Sequence, residues 1–498
     1  MIDIKEFNPH GQTPELPPTI LTIFGATGNL SADYLLPALL HMDKEGLLPK
    51  DFRLVCVGRR DFTAESFFDF ILEKSEVLDK NIGKEERQHF LKQLTYFKGD
   101  FEDLKSFAPL AKVLEDHDLS SAEAEEGQPR HKCFNRLYYF ATSPQFFADI
   151  ARLLKENGLL TACEGHERKI RILVEKPFGF DQKSARALNQ LLLKFFSEDQ
   201  IYRIDHYQGK ETVQNLMVVR FANRLFEPLW NKEFIDHVEI SVLENDLVGS
   251  RAPFYEQAGA LKDFVQNHIL QMLSLIAMEE PYNLTADLIR DEKVRILKAL
   301  RAYDEKTITD NVVRGQYEGY VKEAGHESQT ETFVALKAFV NLPRWEGVPF
   351  YLRTGKALPK KVTEISIHFK ELDRCLFRNC AANILTFRIQ PNESVHLQLN
   401  NKIPGFGIVL HQADLDFSYS QAFKGEIPPA YERLLLDFLE GDQRLFIRSD
   451  EIEAAWKFID SVTDNWKNLP LNKYQSGTEG PKEADELIKK DLREWRTQ

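Results

Sequence analysis

The sequence predicts two domains of different class. Residues 1–204 read as a doubly wound α/β domain, and residues 205–498 as a larger α+β domain with a mainly antiparallel sheet. Three observations predict this. Short apolar runs alternate with helical stretches up to about residue 204, as in a parallel sheet covered by helices on both faces. Beyond that point strands cluster with few helices between them, as in an antiparallel sheet. At 498 residues the chain is also too long for one core of ordinary size.

Composition removes several function classes. A hydrophobic fraction of 43% suffices for substantial cores, which excludes wholesale disorder. The net charge of −13 argues against a general nucleic-acid binder or an anionic-membrane binder. Residues 1–10 carry neither a basic n-region nor an apolar h-region, so no secretory signal is expected. The most apolar helical stretch, residues 269–278, is too short to span a bilayer. Cys56, Cys133, Cys163, Cys375 and Cys380 are scattered and odd in number, which favours free thiols in a reducing, cytoplasmic compartment. Cys375 and Cys380 have no second Cys or His pair beside them, so no metal site is expected.

Along the chain, residues 20–24 form a short apolar run closed by Gly25, which reads as a buried parallel strand. The turn Gly25-Ala26-Thr27-Gly28 follows, then Asn29 and a helix marked by Leu30, Leu35, Leu36, Leu39 and Leu40, which Pro37 should kink. Strand, glycine turn and helix match the opening of a Rossmann-like dinucleotide-binding unit. There glycines admit a pyrophosphate, and the helix N-terminus offers N–H groups and positive dipole. The next strand, residues 52–57, ends in Gly58-Arg59-Arg60, at the position that faces the adenosine ribose. An acidic residue there would suit the 2′-hydroxyl of NAD, whereas two guanidinium groups suit a 2′-phosphate. NADP is therefore the expected cofactor, with NAD the weaker alternative.

Helical patterns near residues 67–72 and 87–94 lead to a third strand that ends at Gly99-Asp100. The acidic stretch 120–130 reads as an exposed loop. Residues 136–141 form an aromatic strand that ends at Ala141, and residues 169–174 another, followed by Glu175-Lys176-Pro177-Phe178-Gly179. Ligands in such sheets sit at the carboxyl ends of strands, where Lys176 stands, and the Lys-Pro bond is a candidate cis peptide. Later strands are expected near residues 238–243, 334–340, 365–369, 384–389 and 395–399, and helices near 429–439 and 449–466.

Two constellations carry chemistry. Ile204-Asp205-His206-Tyr207 and Gly209-Lys210 join the domains, with Lys210 expected in the first turn of a helix. A cation is unfavourable there unless an anion binds, and His206, Tyr207 and Lys210 offer imidazole, phenol and ammonium donors for one phosphate. The second is the helix around His268, which points near the apolar side marked by Phe264 and Val265. A carboxylate beside it would make it a tuned base. Asp263 lies about 140° around an α-helix from His268, a poor pairing geometry. Asp205, reaching across the domain junction, is the freer candidate.

The motifs Gly25-Ala26-Thr27-Gly28, Glu175-Lys176-Pro177-Phe178-Gly179, Arg203-Ile204-Asp205-His206-Tyr207, Val265-Gln266-Asn267-His268, Arg353-Thr354-Gly355-Lys356 and Tyr431-Glu432-Arg433-Leu434 occur in the order seen in glucose-6-phosphate dehydrogenases. The chain resembles that family from about residue 21 to about residue 466. The resemblance implies oxidation of C1 of glucose 6-phosphate to the lactone with reduction of NADP, the first step of the oxidative pentose phosphate pathway. It implies that His268 takes the C1 hydroxyl proton and that Asp205 orients it. Lys176, His206, Tyr207, Lys210, Glu244, Asp263, Lys356 and Lys361 are implied to bind substrate, with Lys176 also reaching the cofactor. Gly25, Thr27, Gly28, Asn29, Leu30, Arg59, Asp100 and Ala141 are implied to line the cofactor cleft, and Arg60 joins them on charge. No metal is implied, and a homodimer or homotetramer is.

Two departures stand out. The family commonly carries Asp after the second glycine and a basic turn beyond it; this chain has Asn29 and Ser31-Ala32-Asp33-Tyr34. Val362, Ser366, His396 and Gln398 stand where the animal enzymes hold a second, structural NADP through Lys, Arg or Tyr, although Arg388 is retained, so that site is not expected. The alternatives are an NADP-binding regulator on the same scaffold, and a dehydrogenase of another hexose phosphate or of free glucose.

Overall fold

A computed structural model of the chain describes residues 2–3, 16–78, 80, 82–101, 103–120, 133–161, 168–377, 380–424 and 427–496. The loop expected at 120–130 lies, past Ser120, outside the described residues.

The first sheet contains β1 (Thr19–Phe24), β2 (Phe52–Gly58), β3 (Leu94–Lys98), β4 (Asn135–Phe140), β5 (Ile170–Val174) and β6 (Ile201–Arg203). Its spatial order is β3-β2-β1-β4-β5-β6, and every neighbouring pair is parallel. Both faces are covered. Ile20 and Phe24 of β1 enter one core cluster, and Leu21 and Ile23 enter the other. Successive strand side chains point to opposite faces, so burial on both sides demands the unbroken apolar runs seen in the sequence. Part of the second cluster comes from the far end of the chain: Leu434, Leu435 and Phe438 of the helix Ala430–Glu440 pack against this sheet.

The order reverses between β1 and β4, and a crevice opens at such a switch point beyond the carboxyl ends of the strands. Gly25 sits there with φ +89°, and a Cβ on it would meet the Ala141 carbonyl oxygen at 2.4 Å. Only glycine fits both the backbone angle and the gap. The helix that follows is not simply kinked at Pro37. It widens into a π-turn over Ser31–Leu35, and the α-helix Leu36–Lys44 starts afresh with Pro37 in its first turn. Proline lacks an N–H and is tolerated at that position.

The second sheet is larger. Its strands are β7 (Ile235–Leu243), β8 (Val312–Tyr317), β9 (Phe333–Phe339), β10 (Pro349–Gly355), β11 (Val362–Phe369), β12 (Ile384–Gln390), β13 (Ser394–Lys402), β14 (Leu410–Ser418) and β15 (Leu471–Tyr474). The order is β14-β13-β12-β11-β7-β10-β9-β8-β15, antiparallel except for the pairs β7·β10 and β8·β15. Helices Leu270–Ala277, Ala286–Ala299 and Ser449–Asp464 pack together beside it, and the last also touches the helix Gln182–Leu192 of the first domain. Among the described residues no helix is long and apolar enough to cross a membrane.

The free-thiol expectation fails for Cys375 and Cys380. Their sulfurs are bonded to each other, with the Cα atoms 6.0 Å apart. Cys133 is also disulfide-bonded. A count of scattered cysteines says nothing about which loops meet, and spacing alone does not reveal the pairing.

Candidate active site

The register of the second sheet assembles half of the site. β7 and β10 run in parallel with Leu243 opposite Gly355, so the next residues, Glu244 and Lys356, leave the sheet side by side and form an ion pair. Val362 of β11 pairs with the same Leu243, which brings Lys361 to this end, where it pairs with Asp246 at 3.3 Å. Gln390, at the end of β12, lies opposite Thr363. This end of the sheet meets the carboxyl end of the first sheet, where β5 delivers Lys176 and β6 delivers Asp205. The Lys176–Pro177 peptide is cis.

The segment bearing His268 is a π-helix, Leu261–Ile269. It starts after Gly259, whose φ of +62° ends the preceding helix, and Glu331 Oε1 accepts from Leu261 N at 3.0 Å. Burial pushes the Glu331 carboxyl up to about 7. The π-geometry overturns the argument that kept Asp263 and His268 apart. With i→i+5 bonding, residues five apart share a face. Lys176 Nζ stands between them, 3.3 Å from Asp263 Oδ1 and 3.0 Å from His268 Nε2.

On the other ring nitrogen, His268 Nδ1 lies 2.5 Å from Asp205 Oδ1, which also accepts from Tyr207 N at 2.9 Å. The ammonium of Lys176 has donors only, so Nε2 accepts from it and Nδ1 carries the proton donated to Asp205. Both partners are buried, with 1% exposure of each side chain. Burial pushes the His268 imidazolium below its ordinary value; Asp205 pulls upward and Lys176 downward, and the net direction is down. Burial alone would raise the Asp205 carboxyl, but the charge and hydrogen bond of His268 hold it at about 2. The imidazole is thus neutral near pH 7 and the carboxylate ionised.

Around this line, Tyr207 stacks on His268 with ring centroids 4.3 Å apart, and His206 meets His268 edge-on at 4.7 Å. Burial, reinforced by His268 and Lys176, pushes His206 well below its ordinary value. Lys210 does not occupy the first helical turn. It is the N-cap residue of the helix Glu211–Phe221, with extended φ/ψ, and its Nζ donates to Gln390 Oε1 at 2.7 Å. The Tyr207 hydroxyl lies 3.2 Å from Thr363 Oγ1. Lys176 and Lys356 flank the face of Phe264 at 5.8 and 5.6 Å. Lys361 is exposed, at the mouth.

Sequence reasoning missed Gln390 and Thr363, and it quoted Tyr431 and Glu175 in motifs without giving either a part in the site. Tyr431 stacks on His206 at 6.2 Å and donates to Glu175 Oε1 at 3.3 Å, which also accepts from Tyr139 at 2.6 Å. Burial pushes Glu175 up to about 7. This buried network fixes the backbone from which Lys176 projects. Only the position of Glu175 at a strand end could have signalled it.

At the crevice of the first sheet, Gly28 N closes the glycine turn onto Gly25 O at 3.0 Å, and Thr27, Asn29 and Leu30 lie on the turn and the first helical residues. Arg59 and Arg60 are exposed past β2, and Asp100 lies past β3. Thr142, next to Ala141, has a buried Oγ1 with no hydrogen-bond partner among the described residues.

Comparisons with known proteins agree with this architecture. The family model "Glucose-6-phosphate dehydrogenase, NAD binding domain" matches residues 22–215, and "Glucose-6-phosphate dehydrogenase, C-terminal domain" matches residues 217–496. The chain is 41% identical over 491 residues to glucose-6-phosphate 1-dehydrogenase of Borreliella burgdorferi, covering 95% of this chain and 97% of that protein. It is 41% identical over 493 residues to the enzyme of that name from Rhizobium meliloti, covering 95% and 96%. A solved glucose-6-phosphate dehydrogenase in complex with glucose 6-phosphate superposes with a TM-score of 0.87 at 32% identity, over 97% of this chain and 99% of that one. A second, from Mycobacterium avium, gives 0.81 at 33%, with the same coverage. With both halves matched and near-complete relatives above 30% identity, the chain belongs to the glucose-6-phosphate dehydrogenase family.

Proposed function

We propose that this chain oxidises C1 of D-glucose 6-phosphate to 6-phospho-D-glucono-1,5-lactone and reduces NADP⁺. The observation that carries the reading is the line Asp205–His268–Lys176. It offers a neutral Nε2 in a dry site, with the opposite nitrogen held as a donor by an ionised carboxylate. That is the arrangement a base needs to take a hydroxyl proton. In the free protein Lys176 occupies Nε2. The C1 hydroxyl takes that place, and Lys176, released towards the cofactor side, holds substrate and cofactor in register.

The proton passes from O1 to His268 Nε2, and Asp205 stabilises the imidazolium that forms. Glu244, Lys356 and Asp263 bind sugar hydroxyls and hold the ring against Phe264. His206, Tyr207 and Lys210 hold the phosphate, with Lys361 at the rim. Tyr207 exchanges Thr363, and Lys210 exchanges Gln390, for phosphate oxygens.

The residues of the crevice fit a dinucleotide. The turn Gly25–Gly28 leads into the helical segment that opens at Ser31, and the free N–H groups of such a helix start suit a pyrophosphate. Past β2, Arg59 and Arg60 are open to a 2′-phosphate, and the nearby acid, Asp61, is turned to Lys98 at 2.9 Å. When bound, NADP⁺ supplies the hydride acceptor for C1. No metal takes part in this reading, since Asp205 and His268 spend their facing atoms on each other.

Both reactants are multiply charged and cross a bilayer poorly, which favours a cytoplasmic setting. The outer strand β14 leaves Leu415 at 62% and Phe417 at 37% exposure, and a homodimer or homotetramer would cover such an edge.

The test is absorbance growth at 340 nm with glucose 6-phosphate or free glucose, NADP⁺ or NAD⁺, and with or without EDTA. The reading expects turnover with glucose 6-phosphate and NADP⁺ that EDTA leaves unchanged. Absence of turnover with every pair would favour a non-catalytic dinucleotide binder, and a preference for free glucose would move the phosphate assignment.

A further inference from the structure

We infer that Lys74 is a third cation of the adenosine 2′-phosphate pocket, acting with Arg59 and Arg60 and replacing the charge that Ser31-Ala32-Asp33-Tyr34 does not supply. This rests on the NADP reading above and names a residue that sets cofactor preference.

The placement follows from local structure. The helix Ala64–Lys74 starts beyond the Gly58-Arg59-Arg60 turn, with Thr63 and Ser66 forming a capping box. Lys74 ends the helix, a position where the dipole favours a cation. The helix returns Lys74 to the glycine turn, where its Nζ donates to Thr27 O at 2.6 Å. On the other side, the Arg60 guanidinium lies over the Phe70 ring at 4.9 Å, and Lys74 Nζ lies 5.7 Å from the same ring. The Arg60 backbone is fixed in turn by the Tyr96 hydroxyl, which donates to Arg60 O at 3.0 Å. Both cations thus lie against the Phe70 ring, and Lys74 also reaches Thr27 of the glycine turn.

The charge balance points the same way. An ammonium has three N–H donors, and among the described residues only Thr27 O accepts from Lys74. Burial and the neighbouring Arg60 push the Lys74 ammonium below its ordinary value, and Asp33 opposes them. Asp33 also accepts from Glu76 N at 3.2 Å, and Asp61 is turned to Lys98. Two like charges brought together, with Asp33 near Lys74 already engaged by Glu76 N, make a site for an anion. A dianionic phosphate, sitting between strand end and glycine turn, is the group of the cofactor that reaches this place.

Isothermal titration of the purified full chain with adenosine 2′,5′-bisphosphate and with 5′-AMP tests this without turnover. The wild type is expected to bind the bisphosphate more tightly. Lys74→Ala and Lys74→Gln are each expected to weaken the bisphosphate about tenfold or more, as loss of one charged hydrogen bond does, and to leave 5′-AMP unchanged. Lys74→Arg should restore most of the difference. Equal weakening of both ligands in Ala and Gln would show that Lys74 merely braces the turn and would overturn the inference, as would no weakening of either. No preference in the wild type would remove the NADP reading itself, and this inference with it.

Discussion

Lys176 Nζ donates to His268 Nε2 across 3.0 Å while Asp205 accepts a hydrogen bond from Nδ1 on the opposite side of the ring. The imidazole is held between a cation and an anion with its tautomer fixed. In the proposed mechanism Nε2 takes the C1 hydroxyl proton, so Lys176 would have to leave it when substrate binds.

Asp205→Asn should be a severe loss with the fold intact. The asparagine amide would donate to Nδ1, which moves the ring proton to Nε2 and leaves no lone pair for O1. The expected fall in kcat is about 10²-fold or more, the scale of a positioned base. Circular dichroism and thermal melting should stay close to wild type, and a kcat within twofold of wild type would mean that Asp205 does not set the tautomer.

The pH profile follows from the depressed imidazolium. A base with its pKa below the ordinary histidine value of 6.5 is already neutral above that pH. The acid limb of kcat/KM should therefore fall below pH 6.5, with activity rising as pH increases through it. Stability obeys the same sign. The unfolded chain binds a proton at His268 before the folded one does, so stability falls as pH drops through 6.5 towards the depressed folded value. An acid limb above pH 7 that persists in Lys176→Ala would contradict a depressed imidazolium at His268.

Lys210→Ala should act on binding rather than chemistry. Loss of one charged hydrogen bond to phosphate raises KM for glucose 6-phosphate by about 10- to 100-fold. KM for free glucose, which lacks the phosphate, should hardly change. Equal effects on both sugars would place the lysine elsewhere in the mechanism.

The parts of this fold visible in the sequence are those written in local pattern. β1, its glycine turn and the strand ends carrying Arg59, Ala141 and Lys176 are where buried parallel strands and their exits put them. The pairing of Asp205 with His268, 63 residues apart, was offered by the sequence only as a candidate across the domain junction, and it was the resemblance to the family that gave Asp205 its role. Asp263 was misjudged because a single sequence does not announce a π-helix, and α-helical pitch turns it away. Gln390 and Thr363 were invisible for another reason: they reach the site through strand register, which is set by the whole sheet. β14 was missed because it is a solvated edge whose residues are mostly exposed, so its pattern is polar. Pro37 looked like a kink and is instead the first turn of a new helix.

The central claim is that His268 Nε2 removes the C1 hydroxyl proton, and kcat of His268→Asn measures it most directly. In the 340 nm assay with saturating glucose 6-phosphate and NADP⁺, kcat should fall by about 10²- to 10⁴-fold. The Kd for glucose 6-phosphate, from titration calorimetry, should stay within a few-fold of wild type. Undiminished turnover in that variant would contradict the assignment of the base.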